Sequence, residues 1–274
     1  MVDPIFPLEI ENKIFVYAVL LKNQNESALN LLLVARRVHT WLMPELLRTL
    51  IIRTVPITNQ YPFRWQISTL EKYGKHVRNL FIWWSRRQVE DLNPDKCLSL
   101  CPNVTNLLLW TERKDVPVDK MVHLPLTHLS FNLDDTPEMT PEIIQLYSRI
   151  THLETISTTT TEEKLAQLKH FTSITHLAVP NTSRFDILPR FFTNRPTLEV
   201  LIFLDPGSSY KDPLRLDGVF DPKSDDPRIV RMTCQPDCEV EEWLLNIQMG
   251  RGMWEMAEGA VREQKKLRDA VQRR

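Results

Sequence analysis

The sequence predicts an α/β protein in three parts: a small N-terminal bundle of three helices over residues 1–49, a solenoid of strand-and-return repeats over 50–238, and C-terminal capping helices over 239–274. Three observations carry that expectation. A short apolar pattern recurs at near-constant spacing through the middle of the chain. The two flanks lack it and read at helical period instead. Glycine is scarce, with 6 residues in 274. No spacing among the six builds G-x-G-x-x-G, G-x-x-x-x-G-K or G-x-S-x-G. Dinucleotide, P-loop and α/β-hydrolase chemistry all need glycine where backbone approaches phosphate or forms a strained elbow, so those classes are excluded.

Along the chain, Pro7 is preorganised for a first helical position. Leu8, Ile10, Ile14, Phe15 and Ala18 then fall near one face. Residues 22–27 form a polar connector in which Asn25 or Ser27 can cap the next helix. That helix places Leu31, Leu32, Val34, Ala35, Val38, Trp41 and Leu42 along one broad stripe. Pro44 opens a last turn, and residues 48–55 are rich enough in β-branched side chains to form a strand.

The middle region carries VRNLFI, VTNLLL, LTHLSF, ITHLET, ITHLAV and LEVLIF. Their anchors are Leu80, Leu107, Leu129, Leu153, Leu177 and Leu201, at intervals of 27, 22, 24, 24 and 24 residues. A weaker copy, IVRMTC, anchors at Met232. Helix-like returns lie between the strands at 141–149, 162–171 and 185–192. One short strand plus one return per 20–29 residues is the signature of a leucine-rich-repeat solenoid, whose units bury their leucines only against neighbours. Residues 239–249 and 253–274 then read as two helices closing the last apolar edge. The second carries six Lys or Arg in the final fifteen residues. Cations there suit a helix C-terminus, although such a run also fits a nuclear-import or nucleic-acid patch.

Lys plus Arg number 34 and Asp plus Glu 35, for a net charge of −1. That balance gives no global reason to expect nucleic acid or an acidic membrane as partner. The N-terminus has no basic n-region and long apolar h-region, and IFVYAVLL, an uncharged apolar run of eight, is far short of the ~18 a membrane helix requires. A soluble chain, cytoplasmic and/or nuclear, is expected, with its four cysteines reduced. Cys97/Cys101 and Cys234/Cys238 have a spacing that fits zinc ligation, but i,i+4 burial on a helix face explains the first pair as well. No metal, no cofactor and no catalytic residue is expected. The paired carboxylates Asp134–Asp135, Glu162–Glu163 and Asp225–Asp226 sit in polar loops with nothing around them to perturb their ionisation.

The stretches FPLEIENKIFVYAV and LNLLLVARRVHTWLMPELLRTLII together resemble an F-box, in which an L-P-x-E-I-x-x-x-I-like opening leads to a second helix around L-V-C-R-x-W. Phe6 stands in place of the opening leucine, Ala35 at the small or cysteine position, and Leu47 in place of the tyrosine. RGMWEMAEGAVREQ likewise looks like the tryptophan-bearing tail helix of F-box-like families in fungi. The resemblance implies an F-box-like bundle followed by leucine-rich repeats, in the substrate-recognition subunit of an SCF-type ubiquitin ligase. It further implies docking on the Skp-type adaptor of a cullin-RING ligase through Phe6, Pro7, Ile10, Ile14, Val34 and Val38, with an unnamed substrate protein held by the repeats.

In each repeat strand the anchor and the residue two beyond it point inward, and the residues before and between point outward. The position before the anchor reads Asn79, Asn106, His128, His152, His176 and Val200. The three histidines are expected to stack about 4.8 Å apart on adjacent strands. Such a ladder could take a metal, an anion or a proton, or simply fill duplicated positions. In-line imidazoles do not converge on one tetrahedral point, which disfavours metal. Phe81, Trp83, Leu108 and Trp110 share that outward face, either as an exposed aromatic patch or tucked beneath the loops. With the histidines they form the expected substrate-binding set. A non-ligase interaction scaffold is the alternative. A helix-turn-helix module fits poorly, because residues 1–60 carry six Lys or Arg against five Asp or Glu.

Overall fold

The computed structural model describes residues 6–21, 30–53, 67–84, 93–111, 117–132, 139–155, 167–180, 195–206, 215–217, 220, 226–234 and 252–273. Nine strands form one sheet in the order β1-β2-β3-β4-β5-β6-β7-β9-β8. They are β1 (Thr49–Arg53), β2 (Asn79–Trp84), β3 (Asn106–Thr111), β4 (His128–Phe131), β5 (His152–Thr155), β6 (His176–Pro180), β7 (Val200–Pro206), β8 (Arg215–Asp217) and β9 (Ile229–Cys234). Eight run parallel, and the three-residue β8 closes the sheet antiparallel to β9.

The register follows the repeat pattern. Leu50, Leu80, Leu107, Leu129, Leu153, Leu177 and Leu201 pair in one row across seven strands. All seven are buried in the main core. The residues two further on, from Ile52 through Phe203, point the same way, as the period of two requires. The row fails at β9, where Leu201 pairs with Ile229 rather than with the expected anchor Met232. An offset of three is odd, so Met232 faces the opposite side of the sheet.

The main core is closed by short returns on one face. These are α3 (Ile67–Tyr73) with a 3-10 turn at Gly74–His76, α4 (Pro94–Leu100), α5 (Val118–Met121), α6 (Pro141–Arg149) and a 3-10 turn at Leu168–His170. The sequence sets their starts. Asn93 Oδ1 accepts the Lys96 N–H at 2.8 Å ahead of Pro94, and Thr140 Oγ1 accepts the Ile143 N–H ahead of Pro141. The expected helix over 141–149 lies where the pattern put it. Of the return expected over 162–171, residues 167–171 are described and hold the 3-10 turn. The return at 185–192, the connector at 22–27 and the helix at 239–249 lie outside the described residues.

The architecture corrects the expectation of a three-helix bundle, a repeat solenoid and an end cap. A single, mainly parallel sheet with flanking helices stands in their place. The described N-terminal part is a pair, α1 (Leu8–Leu21) and α2 (Arg36–Leu46), with α2 leading within three residues into β1. The C-terminal helix α7 (Met253–Gln272) does not close the end of the sheet. It lies across the face opposite the main core, where Met253, Ala257 and Val261 pack on Ala178, Val200, Ile202, Val230 and Met232. Their i, i+4, i+8 spacing makes one stripe, and the inverted register of β9 supplies part of the apolar floor beneath it. A strand repeat fixes which neighbours pair and which face each residue takes. It leaves open what covers the second face.

Candidate functional site

The face opposite the main core divides into three zones, visible in the row Ile51, Phe81, Leu108, Ser130, Glu154, Ala178, Ile202, Val230, each residue paired with the next. Over β1–β3 it is apolar and aromatic. Over β6, β7 and β9 it is apolar and covered by α7. Between them, on β4 and β5, the row turns polar at Ser130 and Glu154.

In the first zone Phe81 and Leu108 are buried, with Ile51, Trp83 and Trp110 packed against them. The expected exposed patch is therefore half true in geometry: its inner pair is enclosed and its outer pair is partly exposed. The Trp83 and Trp110 rings are stacked, 4.8 Å between centroids and within 5° of parallel. That separation is the strand spacing, as expected for side chains at matched positions on neighbouring parallel strands.

The histidine ladder runs alongside. His128 and His152 stack at 4.1 Å, and His152 and His176 at 4.1 Å. Each ring is anchored by the threonine before it: Thr127 Oγ1 lies 2.9 Å from His128 Nδ1, Thr151 Oγ1 3.0 Å from His152 Nδ1, and Thr175 Oγ1 2.8 Å from His176 Nδ1. Each hydroxyl also donates to the backbone carbonyl one strand back, of Thr105, Thr127 and Thr151 at 3.3, 3.1 and 3.2 Å. A hydroxyl has one proton. If it goes to the carbonyl, Nδ1 must donate to the oxygen, and each ring is the Nδ1–H tautomer with Nε2 a bare acceptor.

Burial holds these rings neutral. His128 is pushed down to about 4 and His152 to about 3, by loss of solvent first and by their neighbouring imidazoles second. His176 is lowered less simply, because burial opposes the carboxylate of Glu258. Its Nε2 lies 3.3 Å from Glu258 Oε1. Trp254 of α7 stands edge-on to His152 and His176, at 5.4 and 5.7 Å.

At the centre, Ser130 Oγ donates to Glu154 Oε2 at 2.7 Å. Burial drives the Glu154 carboxyl above its ordinary range, and the Ser130 hydrogen bond offsets this only in part. Sequence reasoning missed Ser130, Glu154, Trp254 and Glu258. The first two had a signal: they occupy the position after the anchor, which is apolar in every neighbouring repeat from Phe81 to Ile202. Trp254 and Glu258, four apart, share one side of α7, but nothing local said that this side meets a sheet.

The adaptor-type residues lie at the other end of the molecule. Phe6, Pro7, Ile10, Ile14 and Val34 are exposed, whereas Val38 is fully buried with Leu42 between the helices and cannot face a partner. Glu11 and Arg37 clamp α1 to α2 through two hydrogen bonds of 3.2 and 2.7 Å. Cys97 and Cys101 are buried free thiols, pushed up to about 12 by desolvation. Asp134–Asp135, Glu162–Glu163, Asp225 and Cys238 lie outside the described residues. Among the described residues no three His, Cys, Asp or Glu side chains come together as a metal site, and no helix is long and apolar enough to cross a membrane. No family model, no curated protein and no solved structure matches the chain.

Proposed function

We propose that the chain is the substrate-recognition subunit of an SCF-type E3 ubiquitin ligase, resident in cytoplasm or nucleus. In this reading it binds a Skp-type adaptor through the N-terminal helix pair and a substrate protein on the β2–β5 face of the sheet. It performs no chemistry itself; ubiquitin transfer belongs to the cullin-RING partners.

One observation carries the proposal. Of the eleven large apolar side chains exposed among the described residues, seven belong to the N-terminal pair: Phe6, Leu8, Ile10, Ile14, Tyr17, Leu33 and Val34. Ile10, Ile14 and Tyr17 are spaced by four and three, which puts them on one side of α1, and Phe6 is exposed just ahead of it. Leu33 and Val34 stand in the turn just before α2. An apolar stripe left in water on a segment too small for a core of its own marks an association surface. The F-box resemblance falls on the same residues, which is the reason for choosing a Skp-type adaptor over another partner.

The test is co-purification of the full chain with a Skp-type adaptor, beside an Ile10→Arg/Ile14→Arg variant. Both side chains are exposed, so the variant should keep the wild-type circular dichroism and melting temperature while losing the adaptor. A folded wild type that captures no adaptor refutes the ligase reading and leaves a non-ligase interaction scaffold.

A further inference from the structure

The centre of the sheet face is rich in hydrogen-bond acceptors. In the Nδ1–H tautomer Nε2 of His128 and His152 is bare, and neither nitrogen has a partner among the described residues. Glu154 adds a carboxyl whose one described partner is the Ser130 hydroxyl, and that hydroxyl's proton is already committed to it. His128, His152 and Glu154 are each partly exposed as residues, so this acceptor cluster lies at the surface of the sheet face. Aromatic walls stand on either side. Trp254 closes the α7 side through its edge contact with His152. On the other, Trp110 follows Leu108 by two residues on the strand next to Ser130, partly exposed and parallel to Trp83.

We propose that this cluster is the specificity pocket of the substrate face, and that it takes an arginine side chain of the partner protein. The inference rests on the substrate-recognition reading above and names what that face recognises. A surface rich in acceptors is complemented by a ligand that only donates. Lysine and arginine alone among side chains are donors without acceptors, apart from the single N–H of tryptophan. Of the two, the guanidinium is planar, presents five N–H groups, matches a carboxylate in a fork and stacks on aromatic faces. It is also the less strongly hydrated cation, and so the easier one to bring against a half-buried carboxyl and two neutral imidazoles. Its charge answers the carboxyl at the centre of the row, for which no ion pair is found among the described residues.

The experiment titrates the full-length protein with N-acetyl-arginine N-methylamide, and in parallel with the citrulline and lysine analogues. Histidine ring carbon-bound proton signals provide the readout, assigned with His128→Asn and His152→Asn variants. The expected result is saturable displacement of the His128 and His152 signals by the arginine compound, at least fivefold weaker binding of lysine and none of citrulline. Glu154→Gln, nearly identical in shape and neutral, should weaken arginine binding at least tenfold while the protein keeps its fold and its adaptor. Equal binding of citrulline, equal binding of lysine, unmoved His128 and His152 signals, or an unaffected Glu154→Gln variant would each overturn the assignment. The Ile10→Arg/Ile14→Arg protein separates the two proposals. Arginine binding retained there, in a chain whose wild type captures no adaptor, removes the ligase reading and leaves the pocket standing.

Discussion

Acid should loosen this protein through its histidine ladder, well before general carboxylate titration does. In the unfolded chain each ladder ring titrates near its ordinary value of 6.5. In the folded chain His128 titrates at about 4 and His152 at about 3. The folded values are depressed, and the groups are bases. Between pH 6.5 and about 4, therefore, the unfolded state holds the extra protons, and stability falls as pH falls. Integrated from pH 7 to pH 5, a ring that stays neutral in the fold while the open chain protonates loses about 1.8 kcal/mol, so the two together lose roughly 3 kcal/mol after allowing for their partial exposure. His176 adds in the same direction. Glu154 opposes, because a carboxyl raised by burial gains stability on protonation as pH falls. Two or three rings against one carboxyl leave a net loss.

Urea unfolding followed by tryptophan fluorescence at pH 7, 6 and 5 measures this directly. For an m-value of about 3 kcal/mol/M, the midpoint should fall by about 1 M between pH 7 and 5 in the wild type. A His128→Asn/His152→Asn variant should lose no more than a third of that, since neither asparagine titrates. Equal midpoint losses in the two proteins would refute the argument. So would ring proton signals of His128 and His152 that titrate near 6.5 in the folded state, because the stacked rings at 4.1 Å would then tolerate charge.

Other expectations follow from single packing facts. Tyr147 is buried between Phe131 and Phe171 with its hydroxyl unpartnered among the described residues; Tyr147→Phe should leave the melting temperature equal or raise it, by up to about 1 kcal/mol of stability in urea unfolding. At Gly74 an added Cβ would sit 2.1 Å from the Leu100 carbonyl oxygen, so Gly74→Ala should cost about 3 kcal/mol or more and appear as a large drop in melting temperature. Ala257 is fully buried where α7 meets Val200 and Ile202. Ala257→Asp should release the helix, seen as rapid amide exchange over residues 253–261 while the amides of β2–β5 stay protected.

What could be read from the sequence, and what could not, divides by the range of the interaction. Strand pairing was legible because neighbouring repeats supply both partners: each THL triplet meets the next 24 residues on, in register, and the histidines stack as that spacing requires. The cover of the second face was not legible. It is set by α7, more than seventy residues after His176, and an amphipathic helix carries no mark of which surface it will bury. The error at Met232 has the same origin. Its local pattern copies an anchor, yet the apolar residues of α7 draw it to the opposite face together with Val230. Val38 was misplaced because its helix stripe is broad, and periodicity cannot say which edge of a stripe meets α1 and which meets water. Ser130 and Glu154 were legible in principle. They needed to be read across strands as a row, rather than along each strand as a motif.

That row also explains why a polar centre survives on a face that is otherwise built to be dry. To the left of Ser130, Phe81 and Leu108 are sealed by their own neighbours; to the right of Glu154, Ala178 and Ile202 are sealed by α7. Valines at both polar positions would extend one apolar strip across the whole sheet. They would remove a carboxyl that burial already makes unfavourable to ionise, and so would raise stability. Charge at Glu154 is thus a stability burden set in the least forgiving part of the face, beside rings that burial holds neutral. Groups in that position are characteristic of binding sites, where a ligand completes the interactions the fold leaves open. The same reasoning fixes how Ser130→Val/Glu154→Val should behave: more resistant to urea than the wild type at pH 7, and unable to bind the arginine compound. A double variant less stable than the wild type would show instead that the Ser130–Glu154 pair is there to hold the sheet together.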